Sequence, residues 1–170
     1  MKTTRLEWQW FTFDELGVGG LYDVLQLRDE VFVVEQRCAY LEADGLDAAS
    51  LHLLGRDEAG TLMAYLRIVP PGAARGEPAP GRIVVRPEAR GNSLGCIMIE
   101  KALEKCEKLY PGSPVRIHAQ EHMASFYEAF GFEVMGAPYD DCGIMHVEMI
   151  RHPHPPPAHQ ARARRRADGL

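Results

Sequence analysis

Residues 83–95 constrain this chain more than any other stretch. They read Ile83-Val-Val-Arg-Pro-Glu-Ala-Arg-Gly-Asn-Ser-Leu-Gly95, and Cys96-Ile-Met-Ile-Glu-Lys follows. A β-branched strand stops at Pro87, a turn with two glycines comes next, and a helix begins. The first N–H groups of a helix have no intrahelical acceptor, and the helix dipole adds partial positive charge there. Such a terminus holds phosphate, and glycine lets the backbone approach it closely. No Gly-Lys-Ser/Thr follows, so this is no Walker loop, and the G-x-G-x-x-G spacing of dinucleotide folds is absent. Taken alone, the turn also fits an ordinary strand-to-helix connection.

The rest of the chain supplies the company for this unit. Trp8 to Phe13 reads as a first strand. Leu16 to about Gln36 reads as a helix broken once, with Asp14 as its cap and Leu21, Val24, Leu25, Leu27 and Val31 at helical spacing. An acidic loop, Tyr40 to Asp47, follows. Strands are expected at Leu51–Arg56, Thr61–Val69 and Arg82–Arg86, with a Pro/Gly-rich loop at 70–81. Gly91 to Leu109 reads as turn and helix, with Ile97, Ile99, Leu103 and Leu109 as its apolar positions. Val115–Ala119 is a strand, Met123–Phe130 a short helix stopped by Gly131, and 132–135 with 144–150 an antiparallel pair. The alternation predicts an α/β chain with a mixed sheet covered by helices.

Length and charge narrow the function. The 170 residues suit one domain at 1–150 with a disordered Pro/Arg-rich tail at 151–170. From Arg151 onward five arginines face one aspartate, so the tail carries +4 and residues 1–150 carry −9 of the net −5. An acidic body disfavours nucleic acid and suits a cationic substrate. No apolar run approaches a membrane span, and Glu7 and Trp8 arrive too early for a signal peptide, so a cytoplasmic protein without a membrane partner is expected. Cys38, Cys96, Cys106 and Cys142 form no C-x-x-C pair and are read as free thiols, with no metal site. Cys96 is read as a packing residue.

The 83–95 unit resembles the signature of the GNAT N-acetyltransferases, Arg/Gln-x-x-Gly-x-Gly/Ala, here Arg90-Gly-Asn-Ser93-Leu-Gly95. Ser93 stands where that family usually has glycine, which argues against a positive φ at this position. Ser125-Phe-Tyr-Glu-Ala-Phe-Gly-Phe132 resembles the family's Phe-Tyr-x-x-x-Gly-Phe block. More closely, Trp8–Ile150 is similar to the ElaA-like branch, through Leu25–Arg28, Val31–Gln36, Cys38, Tyr40, Glu42-x-Asp44-x-x-Asp47, His52–Gly55 and Ala119-Gln120.

The resemblance implies a GNAT fold: a twisted mixed sheet of six to seven strands flanked by about four helices. It implies acetyl-coenzyme A as co-substrate, its pyrophosphate on the amides of Arg90, Gly91, Asn92, Ser93, Leu94 and Gly95. It places the pantetheine along Ile83, Val84 and Val85, with Gln120 replacing the family's usual asparagine. Tyr127 would protonate the departing thiolate, and a primary amine, on a small molecule or a protein, would attack directly. The acceptor side and base are open among Glu35, Glu42, Asp44, Asp47, His52, His118 and His122. The acidic loop reads either as a lure for a cationic amine or as a solvated, capped turn. Two alternatives stand: a non-catalytic acyl-coenzyme A-binding module, and an acyl-homoserine-lactone synthase, which Arg28-x-x-x-Phe32, Asp44-x-x-Asp47 and Arg67 also resemble. Homodimerisation is compatible with either.

Overall fold

The computed structural model describes residues 5–153. Its elements run β1 (Glu7–Thr12), α1 (Phe13–Arg28), β2 (Leu51–Arg56), β3 (Leu62–Val69), β4 (Ala79–Val85), α2 (Leu94–Leu109), β5 (Val115–Gln120), α3 (Ala124–Glu128), β6 (Glu133–Asp141) and β7 (Ile144–Arg151). A π-helical stretch, Asp29–Glu35, extends α1. The α/β class and strand number are as expected, but the sheet is divided. Strands β1-β2-β3-β4 form one antiparallel sheet and β5-β7-β6 another.

The division falls between β4 and β5. One backbone bond, from Arg116 N–H to the Pro78 carbonyl (3.1 Å), joins them near their starts. Further along, β4 bulges: Gly81 pairs with Arg67 and Val84 with Tyr65, so Arg82 and Ile83 both face Leu66. Arg82 sits at φ 52°. Such a bulge bends its strand and ends regular pairing, which here opens a cleft beside β5. Strand β4 begins three residues earlier than expected, at Ala79. Pro80 pairs with Ile68 there, and proline is tolerated where no ladder donor is required.

Two apolar layers hold the sheets. Every residue of β3 is buried, the pattern of a strand covered on both faces. On one face Leu53, Leu66, Met98, Ile99, Ile117 and Met149 pack together; on the other Val24, Leu27, Leu54, Tyr65 and Val84 do. Helix α2 buries Leu94, Met98, Ile99, Ala102 and Cys106. Of its expected apolar positions Ile99 is buried, Ile97 and Leu103 only border the core, and Leu109 is exposed. Small residues let α2 lie close to the sheet.

Helix α1 is capped by Thr12 and not by Asp14. The Thr12 hydroxyl accepts from Glu15 N–H, and the Glu15 carboxylate accepts from Thr12 N–H at 2.7 Å, a reciprocal capping box. The expected break is at Gly17, φ 63°. Gly55 allows the Trp8 ring to lie on it; an added Cβ would meet that ring at 2.6 Å. Among the described residues no helix is long and apolar enough to cross a membrane. Arg151 belongs to β7 and donates to the Phe130 carbonyl at 2.9 Å. The tail expected to be disordered lies, beyond Pro153, outside the described residues.

Candidate active site

A cavity of about 630 Å³ occupies the cleft where β4 and β5 part. One wall is built from Ile83, Val84 and Val85 of β4 and from Arg90, Gly91, Ser93, Leu94 and Gly95. These are the residues expected to meet coenzyme A, with one exception. Asn92 does not line the cavity; its side-chain amide donates to the Ala89 carbonyl at 3.0 Å and pins the turn.

From Gly91 onward the turn is folded to leave its amides free, whereas the Arg90 N–H, also expected to meet pyrophosphate, is spent on the Pro87 carbonyl at 3.3 Å. Gly91 takes φ 80° and Ser93 φ 57°. The serine therefore does adopt the left-handed conformation that its side chain argued against, and no side-chain bond caps the helix there. Ile97 N–H is the first to find an acceptor along α2, at the Ser93 carbonyl, 3.2 Å away. The amides of residues 91–96 find none among the described residues. A row of unpaired N–H groups at a helix start fits a phosphate chain. The Phe126 ring packs beside Gly95, at ordinary contact distance (3.6 Å) from where a Cβ would be. Arg90 is held against Glu35 by two parallel bonds of 2.8 and 2.9 Å.

Tyr127, on α3, is buried among Phe126 and Phe132 at edge-on ring contacts and lines the same cavity. Burial pushes its phenol up to about 12. A phenol in apolar surroundings keeps its proton, as a general acid must. Gln120 lines the cavity too, and its amide donates to the Gln36 side chain at 3.1 Å. Cys96 is half-buried on the cavity wall.

The acceptor candidates separate sharply. Glu35 lines the cavity, but its bond to Arg90 lowers its pKa and occupies both oxygens. The acidic loop is neither a lure nor a solvated turn. Glu42 and Asp47 are buried, and with Asp44 they face Arg28 of α1, Arg67 of β3 and Arg82 of β4. Arg28, fully buried, bonds Glu42 at 2.5 Å and Asp47 at 2.7 Å. Arg67 bonds Asp44 and Asp47, and Arg82 bonds Glu42 at 2.8 Å. Three cations cancel three anions, which is how buried charge is tolerated.

His52 is also structural. It is fully buried, its Nε2 donates to the Asp47 carbonyl (2.9 Å), and its Nδ1 accepts from the Tyr65 hydroxyl (2.8 Å). Burial lowers its pKa, so it stays neutral. None of Glu42, Asp44, Asp47 and His52 lines the cavity; His118 and His122 do. Two further residues there, Asp141 and His146, carried no distinguishing sequence signal: each sits in a strand of ordinary alternation. Among the described residues no three His, Cys, Asp or Glu side chains group as metal ligands.

The family profile described as "Acetyltransferase (GNAT) domain" matches residues 42–152, which contain both the turn and Tyr127. The chain belongs to the GNAT acetyltransferase family. Escherichia coli ElaA is 40% identical over 150 residues, covering 86% of this chain and 96% of ElaA. Its crystal structure superposes with a TM-score of 0.81, covering 86% of this chain and 99% of that one. A structure described as an acyl-CoA N-acyltransferase from Pseudomonas aeruginosa gives 0.82 at 40% identity, with 86% and 99% covered. The CoA-dependent acyl-homoserine lactone synthase BjaI superposes at 0.71 with 14% identity, covering 88% and 84%. At that identity the likeness is one of fold. Membership in the GNAT family makes this a transferase whose co-substrate is an acyl-coenzyme A.

Proposed function

We propose that this GNAT protein moves an acetyl group from acetyl-coenzyme A to a primary amine by direct attack, with Tyr127 as general acid. One observation carries the reading: Gly91 and Ser93 to Cys96, whose amides are unpaired among the described residues, and the protonated Tyr127 phenol border one cavity. Acetyl-coenzyme A supplies the activated acyl carbon as a thioester. The amides and helix dipole of the turn hold negative charge, and β4, the edge strand of its sheet, turns unpaired backbone groups toward the cleft. Tyr127 gives its proton to the departing sulfur. A positioned general acid contributes roughly 10²- to 10⁴-fold.

Calorimetry with acetyl-coenzyme A and thiol release over an amine panel test this. Y127F is expected to keep its affinity for acetyl-coenzyme A while kcat falls by about two orders of magnitude or more. Equal turnover in Y127F and wild type removes Tyr127 from the chemistry. A wild type that binds acetyl-coenzyme A and acylates no amine is instead a binding module, and one that binds no coenzyme A ester has no donor.

A further inference from the structure

The proposed reaction lacks a base, and we infer that His146 of β7 is the group that removes the proton of the incoming alkylammonium. The inference rests on the acyl-transfer reading above. On β7, Val147 and Met149 point into the core, so alternation puts His146 and Glu148 on the opposite face of the β5-β7-β6 sheet. There His146 pairs with Gln120 of β5 and Tyr139 of β6 and lines the cavity.

The tautomer of His146 is dictated. Its Nδ1 lies 2.8 Å from the Ile144 carbonyl oxygen. A carbonyl only accepts, so Nδ1 carries the proton and Nε2 keeps its lone pair. Nε2 meets no partner among the described residues. The ring is held by stacking on Tyr139, 6.1 Å between centroids and 28° between planes. The other cavity imidazoles are less suited. His118 spends Nδ1 on the Tyr139 hydroxyl at 2.7 Å, and no hydrogen bond orients His122 among the described residues. On its face of the sheet His146 is accompanied by Glu148 on β7, Arg116 and His118 on β5, and Tyr139 and Asp141 on β6, with Arg75 and Arg116 both bonded to Glu148. Arg82, the Arg90–Glu35 pair and His122 also line the cavity.

The step balances. Nε2 takes one proton from the ammonium, and the freed lone pair forms the C–N bond at the thioester carbon. The C–S bond breaks, the sulfur takes the Tyr127 proton, and Tyr127 regains one from the nitrogen that has just bonded. The imidazolium then loses its proton to solvent, so ammonium and thioester give amide, thiol and one proton.

H146N is the test, with propylamine and methoxyamine as probes. An alkylamine is protonated at neutral pH and needs a base; an alkoxyamine is already uncharged. At pH 7, kcat/KM for propylamine is expected to fall about 100-fold, with methoxyamine nearly unchanged and the propylamine deficit shrinking as pH rises. Equal losses on both amines mean a structural role and overturn the assignment, as does full propylamine activity. So does a wild type that binds acetyl-coenzyme A but turns over neither probe. Nitrogen-15 NMR of the imidazoles gives a reading independent of turnover. A neutral His146 protonated at Nε2 would sink the base alone, whereas failure to bind acetyl-coenzyme A sinks the acyl-transfer reading.

Discussion

Ser93 is where a single side chain most visibly works against its backbone. It holds φ 57° and ψ 19° at the start of α2, and its hydroxyl caps nothing. The left-handed region costs a residue with a Cβ roughly 1–2 kcal/mol, part of which glycine loses again through its freer unfolded chain. S93G is therefore expected to stabilise the protein by about 0.5–1 kcal/mol, raising Tm by ~2 °C in a chain of this size. Differential scanning calorimetry reads this directly. A lower Tm would mean the hydroxyl makes a stabilising contact in solution.

At the scale of elements, the acidic loop is what ties α1, β3 and β4 into one unit. Glu42 meets Arg28 from α1 and Arg82 from the bulge of β4, while Asp47 meets Arg28 and Arg67. Removing Arg28 takes one of two arginines from each of these buried carboxylates and leaves their charge only partly compensated, a change that costs about 3–5 kcal/mol. R28M is expected to lose that much stability in urea unfolding; a loss under about 1 kcal/mol would show that water reaches the cluster. These partners lie 14 to 40 residues apart in the chain. The carboxylates were legible as a cluster, but the arginines that answer them are assembled only by the tertiary fold. The strand–turn–helix around residues 83–95 was legible because local periodicity and glycine placement write it within a few residues. The α2 stripe was not, since Ala102 and Cys106 pack by being small. His146 was missed because alternation on β7 does not say which face meets a cavity.

The molecule as a whole is two antiparallel sheets joined at one end and parted at the other, with the cavity in the opening and the ionic cluster bonded to β4 through Arg82. That placement links fold stability to pH through groups that do not line the cavity. Burial raises the Asp44 pKa, but the Arg67 hydrogen bond, the Leu46 N–H and the charges of Arg67 and Arg82 outweigh it and hold the carboxyl at about 2. Burial likewise raises Asp47, and bonds from Arg28 and Arg67 pull it below its ordinary value. For a depressed carboxylate the stabilisation is complete above the unfolded value near 3.9 and is lost as pH falls through the folded one. Buried neutral His52 acts earlier: the unfolded chain binds its proton below about 6.5, so stability already declines there. Unfolding free energy measured in urea should thus slope gently from pH 6.5 to 4.5 and steeply from 4 to 2. After allowance for solvent at its exposed edge, Asp44 accounts for ~1 kcal/mol of the steep part. D44N should be less stable than wild type at pH 7 and flatter below pH 4. Parallel curves for the two proteins would mean that folding leaves the Asp44 carboxyl at its unfolded pKa, with no stabilisation from its arginines.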